Sequence, residues 1–171
     1  MLKDSTFLLR PFTYNDVASL THFANNPRIA ENLMDRFPYP YKKENATSFI
    51  SSIIHDNPVQ VFAIEVENKA AGAIGLLVQD DIYCKNAELG YWLAEPFWNR
   101  GIVTEAIKQM VDYGFRTFAI NRIFARPFGR NEASQRALEK AGFQMEYKLP
   151  KALYKNGVYE DEVCFSIRKV E

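Results

Sequence analysis

The stretch "EPFWNRGIVTEAI", Glu95 to Ile107, places an aromatic pair, an arginine and a lone glycine directly before a run with helical periodicity. A helix start leaves about four backbone N–H groups without intrahelical partners, and the helix dipole adds roughly half a positive charge there. A phosphate group can satisfy both. Because Gly101 has no Cβ, it would let a ligand approach the turn closely. The segment Asn99–Thr104 is therefore either a tight turn that needs glycine or a cradle for a pyrophosphate.

Two side chains of this segment could also contact an anion. Arg100 supplies a positive charge, and the Thr104 hydroxyl can donate a hydrogen bond to an oxygen. The sequence contains neither G-x-G-x-x-G nor a P-loop, which argues against hydrolysis of a nucleoside triphosphate. On local pattern alone, both the tight turn and the anion cradle stay open.

The bulk composition limits the classes of function. A chain of 171 residues can bury one core, so we predict a single domain spanning residues 1–171. Lys plus Arg (21) balance Asp plus Glu (21), so no net charge favours nucleic acid or an anionic membrane. No apolar run approaches the roughly 20 residues of a membrane span, and the N-terminus lacks a signal-peptide core. We expect a cytoplasmic protein that binds neither nucleic acid nor membrane.

The cysteines and histidines do not form a chemical motif. Cys84 and Cys164 are far apart in sequence and show no C-x-x-C spacing, which predicts two buried, reduced thiols rather than a disulfide or metal pair. His22 and His55 fall in predicted helices, where surface or packing roles are expected. No metal site is predicted.

Hydrophobic periodicity predicts alternating strands and helices. Strands are expected over Ser5–Phe12, Pro58–Val66, Ala71–Gln79, Cys84–Glu95 and Asn121–Phe128, followed by a hairpin around Asn156-Gly157. Helices are expected over Asp16–Ala24 (capped by Asn15-Asp16), in a short segment after Asn26, and over Lys43–His55, Val103–Phe118 and Asn131–Gly142. The fold class is α/β (α+β), with a mixed, mostly antiparallel central sheet of about six to seven strands flanked by helices. The crossover from the fourth to the fifth strand is predicted to be parallel.

Three segments resemble a known family. "FWNRGIVTEA" (Phe97–Ala106) follows the fourth strand, "NEASQRALEKAGF" (Asn131–Phe143) follows the fifth, and "FPYPYKKENATSFI" (Phe37–Ile50) precedes the sheet. Their sequence and order resemble the GNAT superfamily of acyl-CoA-dependent N-acetyltransferases, and within it the RimJ/RimL-like branch of ribosomal-protein alanine acetyltransferases. The resemblance covers the chain nearly end to end. It favours the anion cradle over the plain turn.

The resemblance implies that acetyl-CoA is the co-substrate. Its pyrophosphate is expected on the backbone amides of the cradle and its pantetheine arm along the fourth strand. Arg130, Arg136 and Lys140 surround the second motif and either meet the 3′-phosphate, with Arg136 the best candidate, or form a solvated helix face. The implied cofactor-binding residues are Tyr91, Trp92, Leu93, Asn99, Arg100, Gly101, Ile102, Val103, Thr104, Asn131, Ser134 and Arg136. The superfamily's usual Gln/Arg-x-x-Gly-x-Gly/Ala is here Trp98-Asn99-Arg100-Gly101-Ile102-Val103. Because backbone amides do the binding, we expect the β-branched Val103 to alter packing without abolishing affinity.

The implied reaction transfers acetyl to a primary amine by direct attack through a tetrahedral intermediate. It needs a neutral amine, a stabilised oxyanion and a proton for the departing thiolate. Many superfamily members donate this proton from a Tyr at the position of Leu138 here, so that role cannot be carried over. The resembling branch implies Ser134, in Asn131-x-x-Ser134, as the acid. The alternative is that Asn131 only caps a helix and Ser134 sits in its first turn.

The catalytic base is less well defined. Glu88, on the fourth strand, is the candidate, and its alternative is an ordinary solvent-facing or ion-paired carboxylate. Some relatives carry a Glu before the Tyr of their last hairpin, where this chain has Leu153 before Tyr154. The amine could therefore also be taken up from solution already neutral.

The expected acceptor is an amine on a protein N-terminus or on a small molecule. Its identity, the acyl-chain specificity and the choice between monomer and homodimer are not determined by the sequence. An alternative function is a non-catalytic CoA-binding sensor or scaffold module, which the absent Tyr at Leu138 and the absent Glu at Leu153 motivate.

Overall fold

The computed structural model describes residues 2–4 and 6–170, and the chain divides into two compact units. The first unit comprises Met1–Gly75 and Tyr91–Ile102, and the second comprises Leu76–Gly90 and Val103–Glu171. Each unit is discontinuous in sequence, because the chain leaves the first unit and returns to it. The assignment of residues 1–171 to a single domain stays a prediction.

The secondary structure alternates as the periodicity predicts. The strands are β1 (Leu2–Asp4), β2 (Phe7–Pro11), β3 (Val61–Val66), β4 (Lys69–Val78), β5 (Asn86–Leu93), β6 (Arg122–Ala125), β7 (Gln144–Lys155) and β8 (Val158–Arg168). The helices are α1 (Val17–Ala24), α2 (Pro27–Ala30), α3 (Lys43–Ile53), α4 (Ile102–Thr117) and α5 (Glu132–Lys140). Short 3₁₀ turns precede α1, β5 and α4.

In the first unit the strands follow the order β1-β2-β3-β4-β5, and the described pairs are antiparallel. β3 and β4 form the predicted hairpin, whose two turn residues Glu67 and Asn68 have φ of 52° and 63°. Two such left-handed residues match the right-handed twist of the flanking strands. The core of this unit joins the inner face of the sheet to α1 and α3 through Phe12, Leu20, Ile50 and Ala63.

Asp16 occupies the predicted N-cap position of α1, but its side chain makes no capping hydrogen bond to this helix. The Asp16 carboxylate does not cap α1; it accepts a hydrogen bond from the Thr13 N–H (2.8 Å) and is gripped by the Arg10 guanidinium (2.7 and 2.8 Å). Burial raises the pKa of Asp16, but the hydrogen bonds from Arg10 and Thr13 outweigh burial and lower it overall. Asp16 therefore ties β2 to the turn that precedes α1, through Arg10, a partner that the capping pattern does not name.

The predicted first strand, Ser5–Phe12, corresponds to β2, and its residue Ser5 lies outside the described residues. The three-residue β1 was not predicted, because so short a segment carries no readable alternation. With it the described sheet has eight strands, against the predicted six to seven. Among the described residues, no helix combines the length and the apolar character that crossing a membrane requires.

In the second unit the strands follow the order β4-β5-β6-β8-β7. β5 and β6 are parallel, with Asn86–Glu88 opposite Arg122–Phe124, which confirms the predicted crossover. β7 and β8 form the predicted hairpin at Asn156-Gly157, where φ is 51° and 79°. The helices α4 and α5 bury Ile107, Met110 and Leu138 in this unit, together with Ile123 and Phe165 of the sheet.

The prediction of two buried thiols is half wrong. Both cysteines are free, but Cys84 is exposed in the loop between β4 and β5, and only Cys164 is buried. The run around Cys84 was read as the start of a strand, whereas β5 begins two residues later at Asn86. Because Cys84 lies in an exposed loop, its side chain does not reach the core, and the apolar character of the thiol does not determine its burial.

A polar network crosses the sheet of the second unit around Glu146. The Arg122 guanidinium donates to Glu146 (Nε–Oε1, 3.1 Å) and to Asn86 (2.9 Å), and the Ser166 hydroxyl also donates to Glu146. The hydrogen bonds from Arg122, more than those from Ser166, outweigh partial burial and lower the pKa of Glu146 to about 2. The carboxylate is therefore more stable in the folded chain than in the unfolded one.

We predict that Glu146→Gln lowers the free energy of unfolding at pH 7 by about 1 kcal/mol, a value reduced for solvent screening because the side chain is partly exposed. Since folding depresses this pKa, the stabilisation is present above the unfolded pKa of about 4.3 and disappears as pH falls through about 2. Urea unfolding at pH 7 and at pH 3 measures it, with exposed Glu139→Gln as control. A wild-type advantage that does not shrink at low pH would contradict the assignment.

Candidate active site

The turn that precedes α4 has the backbone conformation that its glycine predicts. Asn99 and Gly101 have φ of 60° and 76°, in the left-handed region that costs a non-glycine residue about 1–2 kcal/mol. A Cβ built on Gly101 would meet no other heavy atom within 4 Å. The glycine is therefore needed for its φ, and the space beside it is open to a ligand.

The side chains of Arg100, in this turn, and of Trp98, just before it, contact the preceding segment. The Arg100 guanidinium donates to the Pro96 carbonyl (3.0 Å) and lies 5.2 Å from the centroid of the Phe97 ring. The Trp98 indole Nε1–H donates to the Leu93 carbonyl at 2.7 Å. Arg100 thus keeps its charge at the turn while it packs on an aromatic face, and its expected contact with a coenzyme stays a prediction.

The end of β5 belongs to the first unit and lies against β4 at close range. Gly72 of β4 faces the Trp92 carbonyl so closely that a Cβ there would lie 2.3 Å from the oxygen. The Trp92 ring packs edge-on against Phe37, with centroids 5.8 Å apart. Of the three predicted strand residues, Leu93 is buried and Tyr91 and Trp92 are half-buried. Trp92 therefore presents its ring to Phe37, and only its backbone could serve a coenzyme arm.

The second unit contains the remaining predicted residues. Val103 and Thr104 occupy the first turn of α4 and are half-buried. Arg136 is exposed on α5 and pairs only loosely with Glu132 one turn away, at 3.4 Å. This is a surface pair of the kind that contributes little to stability, so Arg136 would lose little by turning to a ligand phosphate.

The start of α5 confirms the capping part of the prediction. The Asn131 side-chain oxygen accepts a hydrogen bond from the Ser134 N–H at 3.2 Å. The cap uses the main chain of Ser134, so its hydroxyl takes no part in this contact. Leu138, at the position where other superfamily members carry a Tyr, is completely buried. That position serves the core here, which agrees with placing the acid elsewhere.

Glu88 is held in an ion pair, the alternative that the sequence offered beside a catalytic base, with a partner that the sequence did not name. Arg126 donates to both of its oxygens, at 2.9 and 3.0 Å. These hydrogen bonds to Glu88 are the largest cause of the raised pKa of Arg126. A signal for this partner exists: Glu88 lies opposite Phe124 in the parallel register, and Arg126 is two residues further along the same face. This signal can be used only when β5 and β6 are known to be neighbouring strands.

The described residues contain no group of three or more His, Cys, Asp and Glu side chains arranged to hold a metal ion. The predicted ligand contacts lie at the open turn before α4, at the end of β5 and at the capped start of α5. None of them requires a metal.

Comparison with known proteins identifies the family. The model of the acetyltransferase (GNAT) domain matches residues 6–144. A Bacillus subtilis (strain 168) protein named as a candidate ribosomal N-acetyltransferase, YdaF, is 29% identical over 151 residues, which cover 87% of this chain and 76% of YdaF.

Two solved structures have the same fold. RimL, the ribosomal L7/L12 alpha-N-protein acetyltransferase in complex with coenzyme A, superposes with a TM-score of 0.85 at 23% identity, covering 96% of this chain and 95% of RimL. The microcin C7 self-immunity acetyltransferase MccE, in complex with acetyl-CoA and AMP, superposes with a TM-score of 0.82 at 26% identity. The superposition covers 97% of this chain and 94% of MccE. The family match over residues 6–144 includes the turn, the end of β5 and the start of α5. Because the match covers most of the chain, the chain belongs to the GNAT acetyltransferase family.

Proposed function

We propose that this acetyltransferase moves acetyl from acetyl-CoA to a primary amine. The observation that carries the proposal is the open, left-handed turn at Asn99–Gly101, which leads into the 16-residue helix α4 inside the matched family segment. The unpaired amides of a helix start and the helix dipole together favour a phosphate there. Acetyl-CoA would supply an activated acyl group. The amides of Asn99–Thr104 would hold its pyrophosphate, and the backbone of Tyr91–Leu93 its pantetheine arm.

Ser134 is our proposed proton donor for the leaving thiolate. Its main-chain N–H is fixed by Asn131, so the first turn of α5 has a defined conformation and the hydroxyl is not needed for the cap. The half-buried position of Ser134 leaves it accessible to a ligand. Asn131 is proposed to contact the pantetheine arm while it caps the helix, and Arg136 to meet the 3′-phosphate.

Glu88 is our proposed acceptor of the ammonium proton, directly or through water. Both of its oxygens are engaged by Arg126, so a cationic amine would compete with the guanidinium for the carboxylate. Because the pair is partly exposed, breaking it costs only about 1 kcal/mol or less. Exchange of one cation for another is therefore energetically accessible.

We predict that Arg126→Gln raises kcat/KM for a cationic acceptor about threefold, since the competing cation is removed. Steady-state kinetics of the single variant, of Glu88→Gln and of the double variant measure the effect. The gain should vanish when Glu88→Gln is added. A gain that survives in the double variant, or no gain at all, would mean that Glu88 is only the ion-pair partner of Arg126.

The acceptor is proposed to be an amine of a protein N-terminus or of a small molecule. Support for the first comes from the names of YdaF, a candidate ribosomal N-acetyltransferase, and of RimL, a ribosomal L7/L12 alpha-N-protein acetyltransferase. Support for the second comes from the microcin C7 self-immunity acetyltransferase MccE. A cytoplasmic location, as a monomer or a homodimer, is part of the same proposal. The two free cysteines suit a reducing compartment.

The experiment that tests the function has two stages. Calorimetry or thermal shift with acetyl-CoA at up to about 1 mM should detect binding, and a broad amine screen that follows release of free CoA thiol should then detect turnover. Absence of binding would refute the proposal. Binding without turnover on any protein N-terminus, polyamine or small amine would instead favour a CoA-binding sensor or scaffold.

A further inference from the structure

The indole of Trp98 bridges the two parts of the first unit that are proposed to hold the coenzyme. Trp98 precedes the turn Asn99–Gly101, and Leu93 is the last residue of β5. The Nε1–H donates to the Leu93 carbonyl at 2.7 Å, a short, partly buried hydrogen bond between residues five apart. Which side of β5 this contact occupies follows from the pairing of the strand.

Even-numbered residues of β5 direct their backbone groups toward β4. The Asn86 carbonyl accepts from the Gln79 N–H, the Trp92 carbonyl faces Gly72, and just beyond the strand the Ala94 N–H donates to Ala71. Since backbone direction alternates along a strand, the carbonyls of odd-numbered residues point to the opposite edge. The Leu93 carbonyl therefore points away from β4, toward the edge along which the pantetheine arm is proposed to pair.

The segment between Leu93 and the turn is held by several short contacts. The Phe97 ring is buried, and the Arg100 guanidinium packs over it while donating to the Pro96 carbonyl. Backbone hydrogen bonds from Phe97 to Ala94 and from Trp98 to Glu95 tighten this turn. The Trp98 indole adds a side-chain hydrogen bond that reaches the last residue of the strand itself.

We propose that Trp98 is a positioning residue that fixes the distance between the pyrophosphate turn and the pantetheine edge of β5. The inference rests on the proposed function, because it needs one ligand to contact both places. A ligand with two points of contact binds more tightly when those points are held in register, since less conformational freedom is lost on binding. A ligand that contacts only the turn gains nothing from that register.

The test compares coenzyme A with ADP, which carries the adenosine pyrophosphate end without the pantetheine arm. Trp98→Phe removes the donor, and replacement of Trp98 by 3-benzothienylalanine removes it while keeping both rings, in case the smaller Phe perturbs folding. Loss of one hydrogen bond should raise the Kd for coenzyme A about three- to tenfold. The Kd for ADP should rise less than about twofold, both measured by calorimetry or ligand-observed NMR.

Each outcome separates the inference from its alternatives. If the Kd values for coenzyme A and for ADP rose equally, the positioning role of Trp98 would be overturned, because Trp98 would then act on the turn alone. An unchanged Kd for coenzyme A with a lower melting temperature would also overturn it and leave only a stabilising contact. The control Tyr113→Phe removes a phenol that hydrogen-bonds Thr117 on α4 and should leave the ratio of the two Kd values unchanged. Failure of the wild-type chain to bind coenzyme A would refute the proposed function itself.

Discussion

Ser134→Ala is expected to lower kcat about 100-fold while the Kd for acetyl-CoA stays within about twofold of wild type. General acid catalysis contributes roughly 10²–10⁴-fold to a rate, and we take the lower end because water can replace a hydroxyl donor in part. Only the transition state develops charge on the leaving sulfur. The loss should therefore fall on kcat, and on kcat/KM to the same extent, without weakening ground-state binding.

The substitution keeps the helix cap, because the hydroxyl is not part of it. Asn131 accepts its hydrogen bond from the main-chain N–H of Ser134, which alanine retains. The melting temperature should therefore stay close to that of wild type. The exposed residue Glu139, further along α5, offers a matched control, since Glu139→Ala should leave both folding and kcat unaffected.

Three results would distinguish the possible roles of this serine. Full activity of Ser134→Ala would remove Ser134 from the mechanism. A higher Kd for acetyl-CoA at unchanged kcat would make it a binding residue. Ser134→Cys, which restores a proton on a similar side chain, should recover part of the lost kcat if proton donation is the role.

Most of the fold follows from local patterns. Alternation predicts β3, β4 and β5, and the spacing of Ile107 and Met110 predicts the buried face of α4, because both periods depend on neighbouring residues only. The hairpin turns at Glu67-Asn68 and Asn156-Gly157 depend on residues that accept a positive φ. The Asp16 side chain does not cap α1, because Arg10 and the Thr13 N–H engage its carboxylate.

The candidate site was predictable only where its chemistry lies in the backbone. The glycine turn and the Asn131 cap are local, and both have the predicted geometry. The Arg126 grip on Glu88 and the Trp98 contact with Leu93 depend on strand neighbours and on side-chain direction, which no single segment encodes. The assignments of Ser134 as the acid and of Glu88 as the base are therefore proposals.

Gly72→Ala is expected to have the largest effect on stability, lowering the free energy of unfolding by about 3 kcal/mol. A Cβ on Gly72 would lie 2.3 Å from the Trp92 carbonyl oxygen and 3.1 Å from the Leu93 Cα. Both atoms are backbone, so no rotamer change can relieve the clash, and β4 and β5 of the first unit must move apart. Overpacking of this kind costs about 1–3 kcal/mol, and here it also strains the ladder between the two strands.

The displacement should also weaken coenzyme binding, since the atoms that must move belong to the proposed pantetheine edge. We expect the Kd for coenzyme A to rise about tenfold or more, measured by calorimetry below the lowered melting temperature. Gly90→Ala is the matched control for stability. Its Cβ would meet nothing within 4 Å, so the free energy of unfolding should change by less than about 1 kcal/mol. The loss of stability in Gly114→Ala should fall between the two, because the two nearest atoms that its Cβ would meet, Leu76 Cδ1 and Ile123 Cδ1, end flexible side chains. If Gly72→Ala proved as stable as Gly90→Ala, the close approach of β4 to the end of β5 would not constrain the proposed coenzyme site.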